Sequence, residues 1–177
     1  MSKKIIITGG LGYIGTELCK LYSGVSWHHK ITVIDTQWFG NYLLPHKNLI
    51  IIKKNISEIE LIDLKEIDSI IHLANIANDP GVELNPILSW DVNVLSTQRL
   101  SDKAVKGKVK QFIFASSGSV YGVKNEEHVT EDLDLVPISY YNKTKMVAER
   151  ILLSYKDKII IHCIRPAAVC GYSPRMR

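Results

Sequence analysis

Residues 4–15 run Lys-Ile-Ile-Ile-Thr-Gly-Gly-Leu-Gly-Tyr-Ile-Gly, a β-branched apolar stretch that breaks into closely spaced glycines and leads into a helical pattern. A chain that leaves a buried strand and starts a helix within so few residues needs glycine wherever a Cβ would meet the neighbouring strand or a bound pyrophosphate. The helix start then presents unbonded N–H groups, and the positive end of its dipole, to the phosphates. Gly10, Gly12 and Gly15 satisfy G-x-G-x-x-G, while Gly9, Gly12 and Gly15 satisfy the looser G-x-x-G-x-x-G. On its own such a motif competes with a purely structural turn. Its place between a strand and a helix favours dinucleotide binding.

The rest of the chain repeats that alternation. Residues 4–8, 31–35, 49–53, 69–74, 111–115 and 159–164 read as strands, nearly continuous in hydrophobicity as strands covered on both faces are. Helices are predicted over 12–22, 59–65, 86–106 and 140–155. Asn85 ahead of Pro86, and Ser139 ahead of Tyr140, supply helix caps. No repeat, linker or low-complexity segment interrupts the pattern. The predicted fold is α/β: a Rossmann-type doubly wound parallel sheet, helices on both faces, right-handed crossovers, one domain over residues 1–177.

Asp35 closes the second predicted strand, twenty residues beyond Gly15. A carboxylate there accepts hydrogen bonds from both adenosine ribose hydroxyls and repels a 2′-phosphate, and the next residue is Thr36 rather than Arg. NAD is therefore expected over NADP. A strand-end aspartate is common in isolation, but the glycines upstream favour the cofactor role. Further on, Tyr141 and Lys145 stand four apart at a predicted helix start and share one face. A free tyrosine, with a pKa of about 10, is a poor base near neutrality. A neighbouring ammonium favours the phenolate and draws it toward the working range. The match of spacing alone equally describes a surface Tyr–Lys pair. Ser116, Ser117 and Ser119 follow the fifth strand, where ligands of open parallel sheets sit, so a serine there can hold a substrate hydroxyl beside Tyr141. A Ser/Gly-rich loop is the plainer reading.

Composition narrows the field. With 177 residues, 46% hydrophobic and 23% charged, the chain suits a globular domain with a sizeable core. Its longest apolar runs fall far short of the ~20 residues a membrane span needs, and its start shows no secretory h-region. The net charge of +4 is spread along the chain, without the clustered basic stripe of a nucleic-acid binder. Cys19, Cys163 and Cys170 are odd in number and lack CxxC spacing, which fits reduced thiols in a cytoplasmic protein. No metal site is expected: His28 and His29 have no spaced partner, and His72 and His162 sit on strands. Trp38 and Phe39, just past Asp35, either cover an adenine or pack on the domain.

Several segments carry a family resemblance: TGGLGYIG, the strand end VID, HLANIANDP at 72–80, VNV around Asn93, FIFASSGSVYG at 112–122, YNKTK and CIRPAAVCG. In that order, and across essentially the whole chain, they resemble the extended short-chain dehydrogenase/reductase family in its nucleotide-sugar epimerase/dehydratase branch, with a UDP-glucose 4-epimerase-like cast. The resemblance implies a catalytic set of Ser117, Tyr141 and Lys145. It implies NAD contacts from Gly9, Gly12, Tyr13, Ile14, Gly15 and Asp35, from Asn55, Ile56, Leu73, Ala74, Asn75 and Asn93, and from Tyr141 and Lys145 themselves. It also implies a nucleotide-sugar substrate and a homodimer face on the apolar residues of 86–106, many of which core packing equally explains.

Three positions depart from the family pattern. Gly118-Ser119 stands where related 4,6-dehydratases carry an acidic pair, which argues against water elimination. Asn75 replaces a small residue, and Ala168 stands where many relatives place a substrate-contacting Asn. Members of the family generally continue well past Arg177, so the substrate domain is expected to be absent from this chain. The expectation is thus an NAD-dependent nucleotide-sugar epimerase acting at C4, with the 177-residue form holding cofactor but turning over little sugar. The alternatives are a nucleotide-sugar reductase or dehydrogenase, and a non-catalytic NAD-binding module.

Overall fold

Ile5 and Ile7 point to one side of their strand and Ile6 to the other, and all three are buried. Such a run requires a sheet covered on both faces, which the computed structural model of the protein has; it describes residues 2–24 and 28–175. The strands β1 (Lys4–Thr8), β2 (Lys30–Asp35), β3 (Leu49–Lys53), β4 (Ser69–His72), β5 (Gln111–Ala115) and β6 (Ile160–Ile164) form a wholly parallel sheet in the order β3-β2-β1-β4-β5-β6. The winding reverses between β1 and β4, so a crevice opens there beyond the carboxyl ends of the strands.

One face packs on α1 (Tyr13–Gly24): Ile5, Ile7, Ile31, Val33 and Ile71 meet Leu11 and Cys19. The opposite face packs on α4 (Ser96–Lys106) and α5 (Tyr140–Leu153), where Ile6, Ile70, Phe112 and Phe114 meet Leu100, Ala104, Ala148 and Leu152. The Rossmann-type doubly wound prediction holds in architecture. Coverage is less complete than expected at the sheet's end, because Ile160, His162 and Ile164 of β6 are exposed.

Local differences from the sequence-based expectation have local causes. The helix predicted over 86–106 is interrupted. Between α3 (Pro86–Trp90) and α4 lies a π turn, Asp91–Leu95, closed by the Ser96 amide donating to the Asp91 carbonyl. The helix predicted over 59–65 is instead a 3₁₀ turn at Ile56–Leu61, begun by Asn55, whose Oδ1 accepts the Ser57 amide at 3.1 Å. A further helix, α2 (Asp79–Leu84), starts where Asn78 Oδ1 accepts the Gly81 amide at 3.0 Å, with Pro80 in its first turn. β4 ends at His72, short of the predicted Ala74, and Leu73 and Ala74 turn into the crevice. Ser139 caps α5 as expected, its Oγ accepting the Asn142 amide at 3.2 Å.

Candidate active site

The glycine turn is shaped by contacts that no side chain would permit. A Cβ on Gly9, whose φ is +69°, would stand 2.5 Å from the Ala74 nitrogen, two residues past β4, and one on Gly15 would stand 2.5 Å from the Gly9 oxygen. Gly10 lies against Val33, on the α1 side of the sheet. Gly12 differs from all three. A Cβ there would meet only the Gly9 oxygen, at 3.2 Å, and Gly12 lines the cleft. Gly9, Gly10 and Gly15 are therefore required by the fold, whereas Gly12 keeps the cleft floor open. Tyr13, Ile14 and Gly15 line the same cleft as the first residues of α1, where N–H groups lack intrahelical acceptors.

Asp35 stands at the carboxyl end of β2, its Oδ2 accepting the Leu11 amide at 3.0 Å and its Oδ1 the Gln37 amide at 2.7 Å. It thus ties the glycine turn to the loop after β2 and lines a cleft of about 1170 Å³. Asn55, Ile56, Leu73, Ala74 and Asn75 line the same cleft. Asn75 donates its amide to the Ile76 carbonyl at 2.9 Å. Asn93 is placed differently. Buried in the π turn, it accepts the Ile76 amide at 2.8 Å, donates to the Ile76 carbonyl at 3.1 Å and reaches Thr144 Oγ1 at 3.2 Å. It braces the cleft wall from behind instead of lining it.

At the other end of the cleft α5 brings in Tyr141 and Lys145, and the turn after β5 brings in Ser117. Lys145 Nζ donates to the Ala115 carbonyl at 2.7 Å, lies 4.8 Å from the Phe114 ring centre and 5.8 Å from that of Tyr141. The Ser117 and Ser119 hydroxyls are 2.7 Å apart, Ser119 donates to Asn142 Oδ1 at 2.6 Å, and the Ser119 amide donates to Ser117 Oγ at 3.2 Å. The Ser119 hydroxyl thus links the Ser117 turn to Asn142 of α5.

Burial sets the charges. Lys145 is 4% exposed, and desolvation pulls its ammonium down to about 7, with Glu149 acting in the opposite sense. His72 is buried beneath, and desolvation, then the Lys145 charge, pull it down to about 3. Its neighbours fix its form. The Ala74 amide donates to Thr8 Oγ1, Thr8 is 2.6 Å from His72 Nδ1, and His72 Nε2 is 2.9 Å from Thr97 Oγ1, which donates to the Asn93 carbonyl. One direction satisfies the whole chain: Thr8 donates to Nδ1, and Nε2 donates to Thr97. His72 is a neutral structural link from the glycine turn to the π turn, as a packed strand histidine should be.

Two participants escaped the sequence reading. Arg165, one residue past β6, donates Nε to Glu149 Oε1 at 3.0 Å, Nη2 to Glu149 Oε2 at 2.7 Å and Nη1 to the Tyr121 hydroxyl at 2.6 Å. Hydrogen bonding to Glu149 holds its guanidinium above the ordinary range. The signal available was Glu149, four residues past Lys145 on the same face of a helix. Past β6 the chain also crosses to the far side of the cleft. Tyr13 donates its hydroxyl to the Gly171 carbonyl at 2.5 Å, Ser173 donates to the Tyr13 carbonyl at 3.1 Å, and the Arg175 guanidinium lies 3.6 Å over the Phe39 ring. Trp38 and Phe39 are exposed and line the cleft. Among the described residues no group of three or more His, Cys, Asp or Glu side chains is gathered as metal ligands, and no helix is long and apolar enough to cross a membrane.

A strand–glycine–helix turn, an acidic end to β2 and a Ser–Tyr–Lys wall thus line one cleft at the carboxyl edge of a Rossmann-type sheet. The model of the NAD dependent epimerase/dehydratase family matches residues 5–177, and the chain belongs to that family. Over 98% of its length it is 32% identical to an uncharacterised UDP-glucose epimerase of Bacillus subtilis (strain 168), of which it covers 58%. Its fold matches UDP-N-acetylglucosamine 4-epimerase from Methanobrevibacter ruminantium M1, in complex with UDP-N-acetylmuramic acid, with a TM-score of 0.83 and 28% identity, covering 93% of this chain and 54% of that one. An NAD-dependent NDP-hexosamine 5,6-dehydratase involved in tunicamycin biosynthesis matches with a TM-score of 0.82 and 26% identity, over 92% and 54% of the two chains. The chain thus spans a little over half the length of these relatives.

Proposed function

We propose that this chain is the cofactor-binding and catalytic part of an NAD-dependent nucleotide-sugar epimerase that inverts C4 by transient hydride transfer. The observation that carries the reading is the single cleft with Asp35 and the glycine turn at one end and Ser117, Tyr141 and Lys145 at the other. Its shape fits the cofactor: Gly12 leaves open the space a Cβ would fill at the start of α1, and Asp35 offers a carboxylate one loop away. NAD, when bound, supplies the acceptor and donor of hydride.

The chain's own groups handle the sugar oxygen. Tyr141 takes the hydroxyl proton on its phenolic oxygen and returns it when the carbinol is restored. Lys145, held by the Ala115 carbonyl, sets the charge beside that phenol. Ser117, fixed by Ser119, holds the reacting oxygen. Epimerisation is favoured over dehydration because the turn after Ser117 carries Gly118 and Ser119, with no carboxylic acid to remove a proton and expel water.

The purified chain, and any longer form that its gene encodes, can be incubated with NAD⁺ and panels of UDP-, GDP-, CDP- and dTDP-sugars. Inverted C4 stereochemistry by NMR without net NADH is the expected result. Net accumulation of NADH would make the protein a dehydrogenase, and no conversion by any form would leave a cofactor-binding module.

A further inference from the structure

Glu149 is 1% exposed and sits one helical turn from Lys145, and its carboxylate receives the two-pronged grip of Arg165. Arg165 meanwhile binds the Tyr121 hydroxyl, and the strand end that carries it is tied to the serine turn. The Ser116 amide donates to the Ile164 carbonyl and the Gly118 amide to the Pro166 carbonyl, both at 2.8 Å. One guanidinium therefore joins α5, which bears Tyr141 and Lys145, to the turn that bears Ser117. We propose that Glu149 and Arg165 act as positioning residues: together they set the charge carried by Lys145 and the spacing between the Tyr141–Lys145 helix and the Ser117 turn. The proposal rests on the catalytic role given to Lys145 above.

The electrostatics follow from the surroundings of the ammonium. On its own helix Lys145 faces Tyr141 and Glu149; from β5 it meets the Ala115 carbonyl and the Phe114 ring; from β4 it meets neutral His72. Glu149 is the anion that favours the charged lysine in this dry setting. Arg165 opposes it by fixing the carboxylate toward β6 and balancing its charge. Burial has brought the ammonium down to about 7 against the pull of Glu149, so the pair acts on a group whose change of charge alters the neighbouring phenol near neutral pH.

The test reads Lys145 directly, in the 177-residue chain, with neither cofactor nor sugar present. Carbon-13 NMR of labelled lysine ε-carbons follows its titration, with the signal assigned by its loss in Lys145→Met. Glu149→Gln is expected to lower the midpoint by roughly one pH unit, and Arg165→Met to raise it by a similar amount. Arg165→Lys keeps the charge but loses the fork, and should fall between wild type and Arg165→Met. It keeps the test readable if Arg165→Met does not fold. Midpoints unmoved by Glu149→Gln and Arg165→Lys, or moved in the reverse directions, would overturn the proposal. Because no turnover is measured, absence of epimerase activity would count against the proposed function alone.

Discussion

The carboxylate of Asp35 accepts the backbone amide of Leu11 at 3.0 Å, so the end of β2 and the glycine turn form one rigid unit. That unit should discriminate between cofactors. Asp35→Ala removes the repulsion of a 2′-phosphate and the ribose acceptor, and loosens the turn. NAD⁺ affinity is expected to fall about tenfold or more, for a loss of about 1.5–3 kcal/mol typical of hydrogen bonds to a charged group. NADP⁺ affinity should change little, so the preference narrows. Calorimetry with both cofactors checks this, and NADP⁺ binding as tightly as NAD⁺ in the wild type would remove Asp35 from its assigned role.

Two glycines in the same turn should fail in different ways. Gly15→Ala drives a Cβ into backbone atoms 2.5–2.7 Å away, in Gly9 and Gly10. Such overpacking typically costs about 1–3 kcal/mol of stability, read as a lower denaturation midpoint. Gly12→Ala meets a single backbone oxygen and should stay within about 1 kcal/mol of wild type. It should still weaken NAD⁺ binding, because its methyl group occupies the cleft. Gly12→Ala that binds NAD⁺ normally would place the pyrophosphate away from this turn.

Tyr141→Phe keeps the ring against Lys145 and removes only the phenolic oxygen. In any form of the protein that turns over sugar, activity should drop by about 10²–10⁴-fold, the usual contribution of a positioned acid–base group, with NAD⁺ affinity nearly unchanged. Tyr13 and Tyr121 also line the cleft, but the Tyr13 hydroxyl donates to the Gly171 carbonyl at 2.5 Å and the Tyr121 hydroxyl receives Arg165 Nη1 at 2.6 Å. Near-normal turnover in Tyr141→Phe would nonetheless transfer the base role to Tyr121.

Burial of neutral His72 makes stability depend on acidity. Its folded pKa lies near 3, against an ordinary value of 6.5, so across that interval the unfolded chain binds the extra proton. Stability is fully present above about pH 6.5 and falls as pH drops toward 3, by up to about 1.4 kcal/mol per pH unit. His72→Gln should be less stable at neutral pH, having lost a fitted link, but its stability should vary less across the same range. Urea titrations of both proteins at several pH values decide the matter. Equal slopes for the two would assign the acid sensitivity to other groups.

The parallel strands and the glycine turn were legible because each is a local pattern: an Ile-rich run, a cluster of glycines, a carboxylate at a strand end. The hidden features depend on distance or on single hydrogen bonds. The π turn at Asp91–Leu95 leaves the apolar spacing of 86–106 looking like one helix, and only the packing shows that it turns Asn93 inward onto the backbone of Ile76. α2 is too short for periodicity to reveal, although Asn78 and Pro80 mark its start. Arg165 and Glu149 lie sixteen residues apart on a strand end and a helix; Glu149 shares the Lys145 face of its helix, but no spacing pairs it with Arg165. Tyr141 and Lys145 could be placed on one helix face from spacing alone, whereas the carbonyl that anchors Lys145 belongs to another element.

The crossing of residues 171–175 over the cleft, pinned to Tyr13 and laid on Phe39, bears on time more than on affinity. For a dinucleotide bound as proposed above, dwell time would then depend on the release of those contacts as well as on its own bonds. On the proposed epimerase reading slow exchange is an advantage, because a cofactor lost in mid-reaction strands the oxidised sugar. Tyr13→Phe should therefore quicken NAD⁺ release in stopped-flow measurements while leaving association almost unaltered, and an unchanged release rate would show that the crossing opens freely.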